Sequence, residues 1–212
     1  MATANDKPKG WFQYVLAMDA ETTGLKFNSD DPSIGHQAVS WGFIVAEAAT
    51  LKPIEKLYVE VKWNEDSIAA RKADPKFGTY AEKIHGLTYD YLEENGMDEV
   101  EAVEEIGTMI LKYWADGNIR CLGHNVATFD IWFLKRMMRR YDIELKFGAR
   151  HIDTSGAGFI NFETYTSDAL FELVGFDARD DHNALDDAEM ALESARAMRE
   201  IFKLGLEAND NI

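Results

Sequence analysis

The spacing of apolar and polar positions changes once along the chain, near residue 97. Before that point three runs are apolar almost throughout or alternate with a period of two: "WFQYVLAMDA" at 11–20, "HQAVSWGFIVAEA" at 36–48 and "PIEKLYVEVKW" at 53–63. Each reads as a strand, and the short turn-like stretches between them suit antiparallel pairing. After it, Val100, Val103, Ile106, Ile110, Leu111 and Trp114 recur at spacings of three and four, the stripe of an amphipathic helix. "NIRCLGHN" then predicts a short strand, "TFDIWFLKRMMRRY" a helix, "ARHIDT" a second short strand, "SDALFELVGF" a helix and "NALDDAEMALESARAMREIF" a long final helix. Three strands followed by alternating helix and strand make an α/β architecture with a mixed sheet. The pattern predicts one domain over residues 11–204, between a flexible N-terminal tail at 1–10 and a polar C-terminal tail at 205–212.

Composition narrows the setting. With 46% hydrophobic residues in 212, the chain can bury one sizeable core. The N-terminus lacks the apolar centre of a signal peptide, and no run approaches the ~18 apolar residues of a membrane span. Cys121 is the single cysteine and cannot pair within the chain. A reducing, cytoplasmic setting with no membrane contact is the expectation. The formal charge of −16 argues against a large basic surface that would grip nucleic acid by phosphate neutralisation alone. Part of the acid excess is ordinary: Asp98, Glu99, Glu101, Glu104 and Glu105 open a helix, where acids suit the dipole and face solvent.

Four acids stand out, three of which local packing would not choose, each at the start or end of a regular element. Asp19 and Glu21 are two apart at the end of the first strand, so they project from one face in line with Val15 and Ala17. Thr22-Thr23-Gly24 then turns the chain and leaves both at the sheet edge. In the last helix the apolar stripe Ala184, Ala188, Ala191, Leu192, Ala195, Met198, Phe202 takes in Asp187, three residues after Ala184. Asp130 likewise begins the face that carries Phe133, Leu134, Met137, Met138 and Tyr141. A buried acid without a partner is costly, and a cation would serve. If the four converge, repulsion raises their pKa values unless divalent ions neutralise them. Oxygen-only ligation favours Mg²⁺ or Mn²⁺, and a carboxylate cage for two hard metals suits phosphoryl transfer. His182 precedes the last helix and can reach over such a site as a base. The far face of the 130–141 helix carries Lys135, Arg136, Arg139 and Arg140, readable as a solvated face or as a phosphate track.

These residues, in this order, resemble the DEDDh (DnaQ-like) 3′ to 5′ exonucleases. The carriers are D-x-E-T-T-G-L at 19–25, "GHNVATFD" ending at Asp130, H-x-A-x-x-D at 182–187, and "KIHGLT" at 83–88. The resemblance implies an RNase H-like fold, α/β, with a central mixed five-stranded sheet flanked by helices. It implies two Mg²⁺ (or Mn²⁺) ions on Asp19, Glu21, Asp130 and Asp187, with His182 as general base. It further implies release of nucleoside 5′-monophosphates from single-stranded 3′ ends, DNA favoured over RNA. The backbone at Ala20 and Thr23 would meet the terminal sugar, Leu25 would wedge against the last base, and His85 and Asn125 would help seat the nucleotide. Three residues, Val126-Ala127-Thr128, separate His124-Asn125 from Phe129-Asp130 where many members have two, which loosens any transfer of substrate preference. A homodimer or a polymerase partner stays open. The rival expectation is a nucleic-acid-binding or polymerase-docking module with a vestigial nuclease site.

Overall fold

The computed structural model describes residues 12–26, 35–177 and 182–209. The N-terminal tail and most of the polar loop at 26–36 lie outside these. The three early apolar runs are strands β1 (Tyr14–Thr22), β2 (Ala38–Glu47) and β3 (Pro53–Glu60), paired antiparallel in succession. On the other side of β1 the short strands β4 (Cys121–Gly123) and β5 (Ile152–Asp153) add in parallel. The sheet order is β3-β2-β1-β4-β5, the mixed five-stranded sheet expected. Nine of the ten β2 residues are buried, which explains why that run is apolar throughout rather than alternating.

Helices α1 (Glu65–Ala73), α2 (Thr79–His85) and α3 (Tyr89–Asn95) fill the stretch between β3 and α4 (Glu99–Tyr113). Then come α5 (Asp130–Arg139), α6 (Thr154–Phe162), α7 (Ser167–Leu173) and α8 (Ala184–Asn209). The hydrophobic pattern predicts α4, α5, α7 and α8 but misses α1, α2, α3 and α6. These are seven to nine residues long, too short for periodicity to stand out, and three are held by local caps instead. The Asn64 side chain accepts from Ser67 N–H, Thr88 from Tyr91 N–H and Asp153 from Ser155 N–H. α8 continues as helix to Asn209, past the point where the polar tail is expected to begin.

Strand alternation divides the core between the two faces of the sheet. Leu16, Met18, Trp41 and Phe43 pack on one side with Val103, Ile106, Ile110, Phe133, Leu134 and Met138 of α4 and α5. Val15, Ala17, Ile44 and Leu122 pack on the other with Leu170 and Phe171 of α7 and Ala188, Ala191 and Leu192 of α8. A third cluster, Val39, Trp63 and Leu92, is roofed by the short helices. The expected stripes are trimmed at their margins: Val100, Leu111, Tyr141 and Phe202 are exposed. Each lies where its helix curves off or outruns the sheet, so period alone overstates the buried face.

Candidate active site

The row Val15, Ala17, Asp19, Glu21 runs along one face of β1. Its first half is core beneath α8, and its second half emerges beyond the packed layer, so both acids are partly exposed. Asp19 stands opposite Gly42 and Glu21 opposite Ser40, and the register slips between Glu21 and Thr22. Such a slip bends the strand and re-aims the side chains at its end.

Gly42 sets how closely α8 can approach. A Cβ built there would overlap the carbonyl and backbone of Ala184 and Leu185, so the first turn of α8 lies directly on β2 beside Asp19. That turn is capped by Asn183, whose Oδ1 accepts from the N–H groups of Leu185 (2.9 Å) and Asp186 (3.2 Å). The cap holds His182 just outside the helix while Asp187 falls on its buried side. His182 Nδ1 lies 3.3 Å from Asp187 Oδ2. Asp186 stays on the solvent side, as the stripe predicts.

Asp130 opens α5 from the opposite layer. It is only 1% exposed, and neither carboxylate oxygen has a hydrogen-bond partner of good geometry. Burial raises its pKa well above the ordinary carboxylate value, and the charges of Glu21 and Asp153 add to the rise. Nearby backbone N–H groups of Asp130 and Ala20 pull the other way without offsetting it.

Asp19, Glu21, Asp130, His182 and Asp187 line one cleft of about 590 Å³. Ala20, Leu25 and Asn125 line it too, Leu25 with 79% of its surface exposed. Thr23 and His85, expected beside the nucleotide, are instead buried and absent from the lining. The Thr23 hydroxyl sits 3.2 Å from His36 Nδ1 and accepts from Gln37 N–H, tying the turn after β1 to the start of β2. His85 Nδ1 accepts from Leu87 N–H, and burial lowers the pKa of its ring. His85 lies close enough to His182 that the charge of that imidazole also lowers its pKa.

The cleft also takes in His124, Thr128, Phe129, Ser167 and Phe171, which the hydrophobic pattern does not single out. His124 Nε2 donates to the Tyr165 carbonyl at 2.8 Å, linking β4 to the chain before α7. Phe129 and His124 were legible as neighbours of Asp130 and Asn125. Ser167 and Phe171 had no local signal, since α7 reaches the cleft only through tertiary packing. Asn125 adopts the left-handed region (φ 61°), which asparagine tolerates, and its N–H donates to Asp153.

The four cations of α5 do not make one track. Successive residues on a helix diverge by ~100°, so Lys135/Arg139 and Arg136/Arg140 form separate rows. Arg140 pairs with Asp66 at 2.6 Å and with Glu99 at 3.2 Å, and Arg136 donates to the His36 carbonyl. That row braces α5 against α1 and α4.

The donor set suits a hard divalent cation. Glu21, His182 and Asp187 each bring one ligand atom within 4.8 Å of the others, and Asp130 adds a buried carboxylate whose charge protein groups leave uncompensated. Among the described residues no helix is long and apolar enough to cross a membrane.

Comparison with known proteins agrees with this geometry. The profile of the family described as Exonuclease (RNase_T) matches residues 16–194. No curated protein matches the chain by sequence. Among solved structures, E. coli Exonuclease I in complex with a dT13 oligonucleotide is similar at 14% identity and TM-score 0.64 over 91% of this chain and 43% of that one. Exonuclease I from Methylocaldum szegediense is similar at 19% identity and TM-score 0.62, over 88% of this chain and 40% of that one. The chain thus spans less than half the length of these structures, and at such identities the likeness is one of fold.

Proposed function

We propose that this chain, which belongs to the exonuclease family, hydrolyses nucleic acid one nucleotide at a time from a single-stranded 3′ end, preferring DNA to RNA and releasing nucleoside 5′-monophosphates. The observation that carries the reading is convergence. Four carboxylates and one imidazole, drawn from β1, α5 and the start of α8, meet in a single cleft. Local packing would not choose three of the four acids, and Asp130 and Asp187 are buried.

Asp19, Glu21, Asp130 and Asp187 would hold two divalent ions, Mg²⁺ or Mn²⁺. When bound, such ions supply charge stabilisation to phosphoryl transfer and lower the pKa of water. The remaining steps belong to the chain. His182 faces Asp187 with Nδ1, which leaves Nε2 to take the proton of the attacking water. The carboxylate opposite Nδ1 steadies the ring and favours the imidazolium that forms. Leu25, exposed at the mouth, offers an apolar edge to the terminal base, and Phe129 and Phe171 supply apolar walls. Ala20 presents backbone rather than a side chain to the sugar. The Exonuclease I structures with dT13 and dA16 oligonucleotides support DNA as the substrate.

The experiment is a time course on 5′-labelled single-stranded DNA and RNA of one sequence with Mg²⁺, beside Asp187→Ala. A ladder shortening from the 3′ end in wild type alone, faster on DNA, is expected. Tight oligonucleotide binding without any metal-dependent ladder would replace this reading with a binding module.

A further inference from the structure

Lys135 does not share the fate of Arg136 and Arg140. Its Nζ lies 5.3 Å from the centre of the Trp132 ring and 5.1 Å from that of Phe147. Phe147 meets the His151 ring edge to face at 6.3 Å. His151 lies close enough to Arg120 and Lys135 that both cations, after burial, lower its pKa. Arg120 in turn lies 5.9 Å from the Phe12 ring and donates to the Arg150 carbonyl at 3.2 Å. The result is a row that interleaves aromatic and cationic side chains: Trp132, Lys135, the Phe147–His151 ring pair, Arg120 and Phe12.

Two features give the row a direction and a chemistry. Trp132 donates its backbone N–H to the Phe129 carbonyl at 2.9 Å, and Phe129 lines the cleft, so the row begins about one helical turn from the reaction site. It is 43% exposed, whereas Trp41, Trp63 and Trp114 are buried. A large aromatic ring left exposed next to a cation, with two half-buried rings and a second cation further along, suits a polyanion that carries its own rings, even in a chain of formal charge −16. Single strands are held in this manner, with bases on aromatic faces and phosphates on flanking cations.

We propose that this row is a strand-binding track for the nucleic acid 5′ of the scissile bond, with Trp132 stacking on a base and Lys135, Arg120 and Arg150 meeting phosphates. It rests on the exonuclease reading for the polarity of the strand. Binding itself needs no catalysis. The track replaces the four-cation track of α5, of which Lys135 is the member it retains.

The test is a titration of metal-free protein, in chelator, with an oligodeoxythymidine of about 20 nucleotides, followed by tryptophan fluorescence and repeated across salt concentrations. Wild type is expected to be quenched on binding. Trp132→Phe should lose the quench yet keep its affinity, and Trp132→Ala should bind about tenfold more weakly. Lys135→Gln should reduce the slope of log K against log salt by about 0.7, while Lys112→Gln, the same charge change on α4, should leave it unaltered. Wild-type affinity and salt slope in both variants, an equal effect from Lys112→Gln, or no binding by wild type would each overturn the track. Quenching with no hydrolysis by wild type would sink the exonuclease reading and leave the track standing. Hydrolysis by wild type with unaltered binding by the variants would do the reverse.

Discussion

His182 Nδ1 and Asp187 Oδ2 stand 3.3 Å apart across the first turn of α8. On the proposed mechanism Asp187 orients the His182 ring and Nε2 takes the proton of the attacking water. Replacing His182 with Ala should lower kcat by about 10² to 10⁴-fold with little change in melting temperature, because the ring is at the surface and contributes little packing. Steady-state kinetics beside a thermal melt checks this. A variant with undiminished kcat would remove His182 from the mechanism.

Asp130 predicts a trade between stability and activity. Its buried carboxylate lacks hydrogen-bond partners, so Asp130→Asn should stabilise the metal-free protein by about 1–3 kcal/mol while abolishing hydrolysis. Chemical denaturation in chelator reads the first effect. Conversely, Mg²⁺ or Mn²⁺ at about 100 times its dissociation constant should stabilise wild type by about 2.7 kcal/mol and the Asn variant by less.

Gly42 is a positioning residue, paired with Asp19 across the sheet but without a side chain of its own in the chemistry. Gly42→Ala places a methyl group against the Ala184 carbonyl and must push the start of α8 away from β2. The expected cost is about 1–3 kcal/mol of stability, with a larger loss of kcat than of affinity, since His182 and Asp187 move together. Denaturant titration and the kcat to KM split test this. A fully active Gly42→Ala would show that α8 has slack at this point.

Three histidines predict how stability depends on pH. His36, His85 and His151 all have pKa values lowered from 6.5, in each case chiefly by burial. The unfolded chain therefore binds more protons than the folded one as pH falls below about 6.5. Stability should be fully present above that value and decline on acidification through the lowered range. Melting temperature measured from pH 7.5 down to about 5 should fall, and His85→Gln should make the fall shallower. A flat profile would mean that these rings take up protons without cost in the folded protein.

Much of this site was legible because chemistry that conflicts with packing shows in a periodic pattern. Asp187 interrupts an alanine stripe, Asp130 heads an apolar face, and Glu21 follows Asp19 at a spacing that only a strand makes convergent. The burial of Thr23 and His85 was not legible, because nothing in their neighbours reveals that Thr23 is turned toward His36 or that His85 is covered by the surrounding fold. The four cations of α5 looked alike in sequence, and only Asp66 and Glu99, contributed by two other helices, distinguish Arg140 from Lys135.

The amino-acid sequence by itself determined the period of each long element, the split between a three-strand antiparallel half and an alternating half, and the positions at which acids interrupt an apolar stripe. These follow from spacing along one strand or one helix, which local geometry converts directly into a shared face. Tertiary structure alone decided that β1, α5 and α8 bring those residues to one cleft, that Gly42 admits α8 so closely, and that Phe12, Arg120 and Phe147 align with Trp132 and Lys135. Such relations arise from which surfaces pack together, and the period of no single element contains both partners.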